Sequence, residues 1–286
     1  MTLHDEWRLN FARGLAEKIC QFSGVLAIVV GGSVAHGWAD EYSDLELPVF
    51  WETLPDDAAR LALVQSLGAE FLYGYDGPAH EDQLLLNGFQ FDLWHNTVAG
   101  EEAVFTAVLE EYSTDLGDSN FMDTVQACIP LHGEEIIRGW KKRAQEYPQG
   151  LATRFINERL AYFSTGQLRL AGQRENPTEF YNYLCRLHQE VFLVLLALNR
   201  RYFPTFKWMY RVIEEMQVKP VHAGERLRSM FGMPFNEATN CIQGVLLEIL
   251  ALVDQQNLPV NTVEARNRLA YQRIPHWGGS AGKIVE

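Results

Sequence analysis

The chain has 286 residues, enough for two domains with independent cores, and its 47% hydrophobic and 21% charged content excludes low complexity and extensive disorder. Lys and Arg number 24 against 37 Asp and Glu, a formal charge of −13 with a pI near 5.1; this argues against a nucleic-acid substrate and is compatible with a cationic small molecule. Cys20, Cys128, Cys185 and Cys241 form no Cys-x-x-Cys pair, acids stand at the N-terminus where an export signal needs basic residues, and no apolar run is long enough for a bilayer, so a cytoplasmic protein with no membrane partner is expected.

Apolar positions at Trp7, Leu9, Phe11, Leu15, Ile19 and Phe22 predict a helix over 5–22 that packs on a first strand, the Val- and Ile-rich run from Gly24 to Val30. That strand ends at Gly31-Gly32, where the missing Cβ atoms permit a sharp turn and close approach of a ligand, and Ser33 adds a hydroxyl and an amide suited to phosphate. His36 and Trp38 follow, either touching a nucleotide or packing the turn. Next comes Asp44-Leu45-Glu46-Leu47-Pro48-Val49-Phe50. As a strand it puts Asp44 and Glu46 on one face and Leu45 and Leu47 on the other. Two carboxylates two residues apart repel unless a cation lies between them, and Mg²⁺ is the expected ion.

Pro55-Asp56-Asp57 opens a helix to about Leu67, with acids near its positive end. Strands are expected at about 70–74, 83–87 and 89–95, the last two joined by the hairpin signal Asn87-Gly88. In the last of them Phe91 and Leu93 face the core while Gln90, Asp92 and Trp94 face outward, so Asp92 can join Asp44 and Glu46; His95 falls on the core side and reads as structural. Helices at about 100–112 and 119–127 complete an α/β domain over 1–133. Beyond it, helices are expected at 134–146, 149–172, 178–202, 208–217, 222–231 and 236–256, bounded by prolines, forming an all-α bundle over 134–273; an irregular tail follows at 274–286.

Within the helical half, Arg200 and Arg201 read as cations closing a helix C-terminus, and Lys207 is a candidate for neutralising triphosphate charge. Arg186, His188 and Glu190 lie on a helix whose other face carries Leu184, Leu187, Val191 and Leu195. Glu190 and Glu158 are candidates for deprotonating an acceptor hydroxyl, against the common reading of each as a solvated helix residue.

Gly32-Ser33, a spacer of residues 34–43, Asp44-Leu45-Glu46 and the later Asp92 together resemble the polymerase-beta-like nucleotidyltransferase superfamily. Tyr42-Ser43-Asp44-Leu45-Glu46 is most similar to its small-molecule branch, the aminoglycoside and lincosamide nucleotidyltransferases, where the second acid is often Glu. The resemblance covers residues 24–95; Phe206-Lys207-Trp208 is also similar to a segment of bacterial members. It implies an α+β fold, a mixed sheet with flanking helices followed by a helical bundle that forms the other wall of the cleft. Gly32, Ser33 and Lys207 would bind nucleotide, and Asp44, Glu46 and Asp92 would be catalytic ligands of two Mg²⁺ ions. The expected activity is transfer of a nucleoside monophosphate, AMP, from an NTP, ATP, to a hydroxyl of a small molecule such as an antibiotic, with release of pyrophosphate. Two alternatives keep the fold: a protein-modifying adenylyltransferase, and a non-catalytic nucleotide-binding or antitoxin-like partner.

Overall fold

A computed structural model describes residues 3–74, 81–271 and 273; the chain divides into two units, Met1–Leu151 with Arg201–Thr205, and Ala152–Arg200 with Phe206–Glu286. The expected tail at 274–286 lies outside the described residues. The architecture is a mixed sheet with flanking helices followed by a helical region, the α+β class read from the sequence.

In the first unit the order is α1 (Leu3–Ile19), β1 (Val25–Val30), α2 (Gly32–His36), β2 (Glu46–Trp51), α3 (Asp57–Leu67), β3 (Glu70–Phe71), β4 (Glu81–Leu86), β5 (Phe89–Thr97), α4 (Val98–Leu109), α5 (Leu116–Ala127), β6 (Ile129–His132) and α6 (Glu134–Ala144). The strands form one sheet in the order β3-β4-β5-β2-β1-β6, in which β2 and β5 run parallel and the other neighbours antiparallel. Alternation decides the faces. Leu45, Leu47, Val49, Phe91 and Leu93 are buried with Leu9, Leu15 and Ile19 of α1 and Leu63 and Leu67 of α3. On the opposite face Phe50 meets the edge of Trp140 at 4.9 Å and of Phe121 at 6.5 Å, which brings α5 and α6 over the sheet.

Local chemistry accounts for the ends of these elements. Asp56 caps α3 by accepting from the Ala59 amide at 2.8 Å. Asn87 and Gly88, at φ 53° and 79°, both take the left-handed conformation that a two-residue hairpin turn requires, and β4 and β5 pair across them as expected. Two features depart from the sequence reading. The Gly-Ser turn is a short helix, α2, closed by Gly37 at φ 70°; and the first unit has a sixth strand, β6, at the sheet edge, the position at which a sheet admits a proline such as Pro130.

Glu101 in the first turn of α4 is buried, and burial, aided by the charge of Asp118, pushes its carboxyl up to about 7 from an ordinary 4.5. The folded state therefore holds this proton more tightly than the unfolded chain. The contribution to stability is full below pH 4.5 and is lost as pH rises through about 7, by ~3 kcal/mol at the extreme. Glu101→Gln is expected to remove that loss: urea unfolding should find the variant more stable than the parent at about pH 8 and equal to it near pH 4.

The second unit is helical: α7 (Gln149–Leu160), in whose first turn the division falls, α8 (Gly166–Gln173), α9 (Pro177–Leu198), α10 (Met209–Glu215), α11 (Ala223–Ser229), α12 (Phe235–Gln255) and α13 (Val263–Ala270). The helix expected over 149–172 is two helices, broken at Tyr162 to Thr165, and α13 is additional. α9 starts where the sequence puts it, with Asn176 capping the Glu179 amide and Pro177 in the first turn. It stops four residues early. The Asn199 side chain donates to the Leu195 and Val218 carbonyls and accepts from the Gln217 and Val218 amides, and Arg200 then turns away at φ 54°. His188 is corrected too: it lies 1% exposed on the same side of α9 as Leu184, Leu187 and Val191, because residues three and four apart share a helical face. Burial pushes its imidazole down to about 4. Among the described residues no helix is long and apolar enough to cross a membrane.

Candidate active site

The site is built around one backbone hydrogen bond. The Asp92 amide donates to the Leu45 carbonyl at 2.8 Å, so the residue between Asp44 and Glu46 is tied to the third acid. Parallel pairing continues with Glu46 directly opposite Asp92. Partners in register project to the same side of a sheet, so these two carboxylates are neighbours on the face away from Leu45, Leu47, Phe91 and Leu93. Asp92 is 5% exposed, and its Oδ1 accepts from the Gln90 side chain at 3.3 Å. Asp44 stands two residues before β2 rather than on it, half-buried in the connecting loop.

Gly32 explains why the turn must be glycine. Its φ is 55°, and a Cβ there would fall 2.6 Å from Glu46 Cδ and 2.7 Å from both carboxylate oxygens. The Glu46 carboxylate thus rests against the Gly32 backbone, while the Gly31 amide donates to the Glu46 carbonyl at 3.0 Å. Ser33, in the first turn of α2, is buried. Because the obstructing atoms end a flexible side chain, Gly32→Ala should displace that carboxylate more than it unfolds the protein. A cost of about 1–2 kcal/mol is expected from the left-handed backbone, read by urea unfolding.

The loop carrying Asp44 is held from α1. Asp5, fully buried, accepts from the Ala39 amide at 3.1 Å; Arg8, 4% exposed, donates through Nε to the Ser43 carbonyl at 2.9 Å. Within the loop the Ser43 hydroxyl and the Tyr42 amide donate to Asp40 and hold its carboxyl below the usual range. Asp44, Arg8, Trp7, Tyr42, Phe89 and Gln90 border an open cavity of about 430 Å³. At the other end of α2, His36 stacks on Trp38 at 4.1 Å and meets Asp123 of α5 at 2.9 Å. Asp5, Arg8 and Asp123 were not singled out from sequence. Asp5 and Arg8 did leave a signal, since they fall on the apolar stripe continued by Leu9, Ala12 and Leu15, where a charge needs a buried partner.

The structure therefore gathers Gly32, Glu46 and Asp92, with Asp44 on the adjoining loop and Ser33 on α2. It does not close the acids into one ligand set: among the described residues no three or more His, Cys, Asp or Glu side chains are grouped so as to hold a metal ion. The strand register still presents Glu46 and Asp92 side by side. Lys207 is exposed on a 3-10 turn of the second unit, Phe206–Trp208. Glu158 is exposed and accepts from Arg154 at 3.0 Å. His95 bears out its structural reading, 1% exposed, with one ring nitrogen accepting from the Trp51 indole at 3.1 Å.

A family described only as a domain of unknown function, DUF4037, matches residues 118–209. No curated protein matches the chain. Among solved structures, a nucleotidyltransferase-like protein from Exiguobacterium sibiricum 255-15 is similar at 10% identity and a TM-score of 0.42, covering 87% of this chain and 75% of that one. A chain of the E. coli MS115-1 CdnC:HORMA-deltaN complex is similar at 14% identity and a TM-score of 0.32, covering 86% of this chain and 92% of that one.

Proposed function

We propose that the protein is a nucleotidyltransferase: a hydroxyl of a small molecule attacks the α-phosphorus of an NTP, ATP first among them, forming a new P–O bond as the bond to pyrophosphate breaks. The observation that carries this reading is the in-register pair Glu46 and Asp92 beside Gly32, with Asp44 on the loop anchored by Asp5 and Arg8. Asp44, Glu46 and Asp92 are the residues that would hold Mg²⁺, and their all-oxygen donor set suits a hard divalent cation. When bound, that ion supplies positive charge against the triphosphate.

The chain's own residues have separate tasks. Gly32 leaves room for the Glu46 carboxylate and for close approach of phosphate oxygens to backbone. Trp7, Tyr42 and Phe89 give the cavity beside Asp44 aromatic surface for a base, and its roughly 430 Å³ is within the range of small-molecule sites. Ser33, in the first turn of α2 next to Gly32, is assigned to the triphosphate. The surplus of acids favours a cationic acceptor, such as an aminoglycoside, over a nucleic acid.

The test is pyrophosphate release from each NTP with Mg²⁺, screened over aminoglycosides, lincosamides and hydroxylated metabolites, with Asp44→Asn as control. Release that depends on one acceptor and vanishes in the control is the expected result. Turnover unchanged by Asp44→Asn would remove the carboxylates from the mechanism, and adenylylated protein after incubation with ATP and lysate would move the acceptor to a side chain.

A further inference from the structure

His36 and Asp123 form a dyad that the transfer reading leaves unused. Nε2 of the ring meets the Asp123 carboxylate at 2.9 Å, the two side chains are 17% and 12% exposed, and Trp38 stacks on the ring at 4.1 Å. A carboxylate on one ring nitrogen fixes the orientation of a histidine and leaves the other nitrogen for proton transfer. Here that nitrogen is Nδ1, which makes no hydrogen bond among the described residues and is not sealed from solvent. The place of the ring is set by α2. Ser33 and His36 stand three residues apart on this helix, so their Cβ atoms lie about 5–6 Å apart on one face. α5 closes in beside them: a Cβ on Gly31 would fall 3.4 Å from Thr124 Cγ2 and 3.6 Å from Pro48, which follows Glu46 by two residues on the same face of β2. The dyad therefore stands within one helical turn of Gly31-Gly32-Ser33. The charged groups around it are Asp5 of α1, bonded to the Ala39 amide, and Glu46, resting against Gly32; the Arg8 guanidinium is engaged by the His4 and Ser43 carbonyls.

We propose that His36, in its protonated form, donates the Nδ1 proton to pyrophosphate as it leaves, with Asp123 as the residue that positions the ring; this rests on the transfer reading above. The acceptor oxygen bonds to the α-phosphorus while the bond from that phosphorus to the bridging oxygen breaks, its electron pair staying on the departing oxygen. The His36 proton goes to that oxygen, the acceptor's own proton passes to water, and solvent returns a proton to the ring. A protonated imidazole has two N–H donors, one for Asp123 and one for phosphate, whereas the Ser33 hydroxyl and the backbone amides only hydrogen-bond. The line of displacement decides between acid and base. Attacking and leaving oxygens lie on opposite sides of the α-phosphorus, and His36 shares a helical face with Ser33, at the leaving end.

The test uses the full chain with Mg²⁺ and the acceptor that supports turnover. His36→Gln should lower kcat with ATP about 100-fold and keep KM for ATP within about threefold of the parent. The same substitution should cost about tenfold or less with the β,γ-difluoromethylene analogue of ATP, whose less basic leaving group departs with less need of a proton. Asp123→Asn should lower kcat with KM nearly unchanged, and circular dichroism confirms that both variants fold. Independently of turnover, inorganic pyrophosphate, and not sulfate, should shift the histidine-ring NMR signal that His36→Gln deletes. The proposal is overturned if that signal stays in place, if folded His36→Gln turns over ATP like the parent, or if ATP and the analogue lose rate equally. Any of these with turnover in the parent leaves the transfer reading standing, whereas a parent that turns over no NTP with any acceptor removes both.

Discussion

Asp92→Asn is expected to lower NTP-dependent pyrophosphate release by about 100-fold or more while leaving the melting temperature within a few degrees of the parent. The substitution keeps shape and volume, so the 2.8 Å bond from the residue-92 amide to the Leu45 carbonyl and the β2–β5 register survive. What changes is charge. With Asp92 neutral, Glu46 no longer faces a like charge across the strand pair, which favours the fold, and the site loses one hard anionic donor. The two effects have opposite signs: the fold gains or stays level while activity falls. A purely structural carboxylate would show the reverse, loss of stability with activity per folded molecule retained. Measuring kcat on the folded fraction separates the two cases. Raising Mg²⁺ should recover part of the rate lost in the Asp92→Asn variant if the residue is a ligand, because weakened affinity yields to concentration. A rate that stays near that of the parent at every Mg²⁺ concentration would take Asp92 out of the chemistry.

How much of this was legible beforehand follows the range of the interactions. The pairing of Glu46 with Asp92 could be anticipated because period-two alternation puts Leu45, Leu47, Phe91 and Leu93 on one face, and the Asn87-Gly88 hairpin fixes which way β5 runs. The edge strand Ile129–His132 was hidden by Pro130, since proline counts against a strand until the strand is known to be an edge. The break between α7 and α8 was hidden because Tyr162 to Thr165 contains neither Gly nor Pro and apolar spacing continues through it. Arg8 with Ser43, 35 residues apart, and His36 with Asp123, 87 apart, join segments that share no local pattern. Such contacts are tertiary facts, readable from sequence only as charges stranded on an apolar stripe.

The longest consequence of such a contact lies behind the site. Arg60 of α3, Asp82 of β4 and His95 of β5 are 3%, 2% and 1% exposed, and form a chain in which Asp82 pairs with the Arg60 guanidinium and accepts from His95 at 2.9 Å. Because His95 Nδ1 accepts from the Trp51 indole, the ring's Nε2 donates to Asp82, whose carboxylate also pairs with the Arg60 guanidinium. Burial pushes the Asp82 carboxyl up, but the hydrogen bonds from His95 and Arg60, with the charge of Arg60, outweigh it and hold the group below its ordinary 3.8. The folded carboxyl thus releases its proton more readily than the unfolded one. Its contribution is present in full above pH 3.8 and is lost as pH falls through the lower folded value. Asp82→Ala removes the carboxylate opposite a buried guanidinium, and a loss of about 3–5 kcal/mol is expected. The double change Arg60→Met with Asp82→Leu should cost less than Asp82→Ala alone, since apolar groups of similar volume leave no buried charge to compensate. Urea unfolding of the three variants checks the order, and it would be refuted by a double variant less stable than the single one. Asp92 lies on the same strand as His95 and faces the other way, so Asp82→Ala should also lower activity per folded molecule only slightly, marking this network as the scaffold of β5 and not as part of the chemistry.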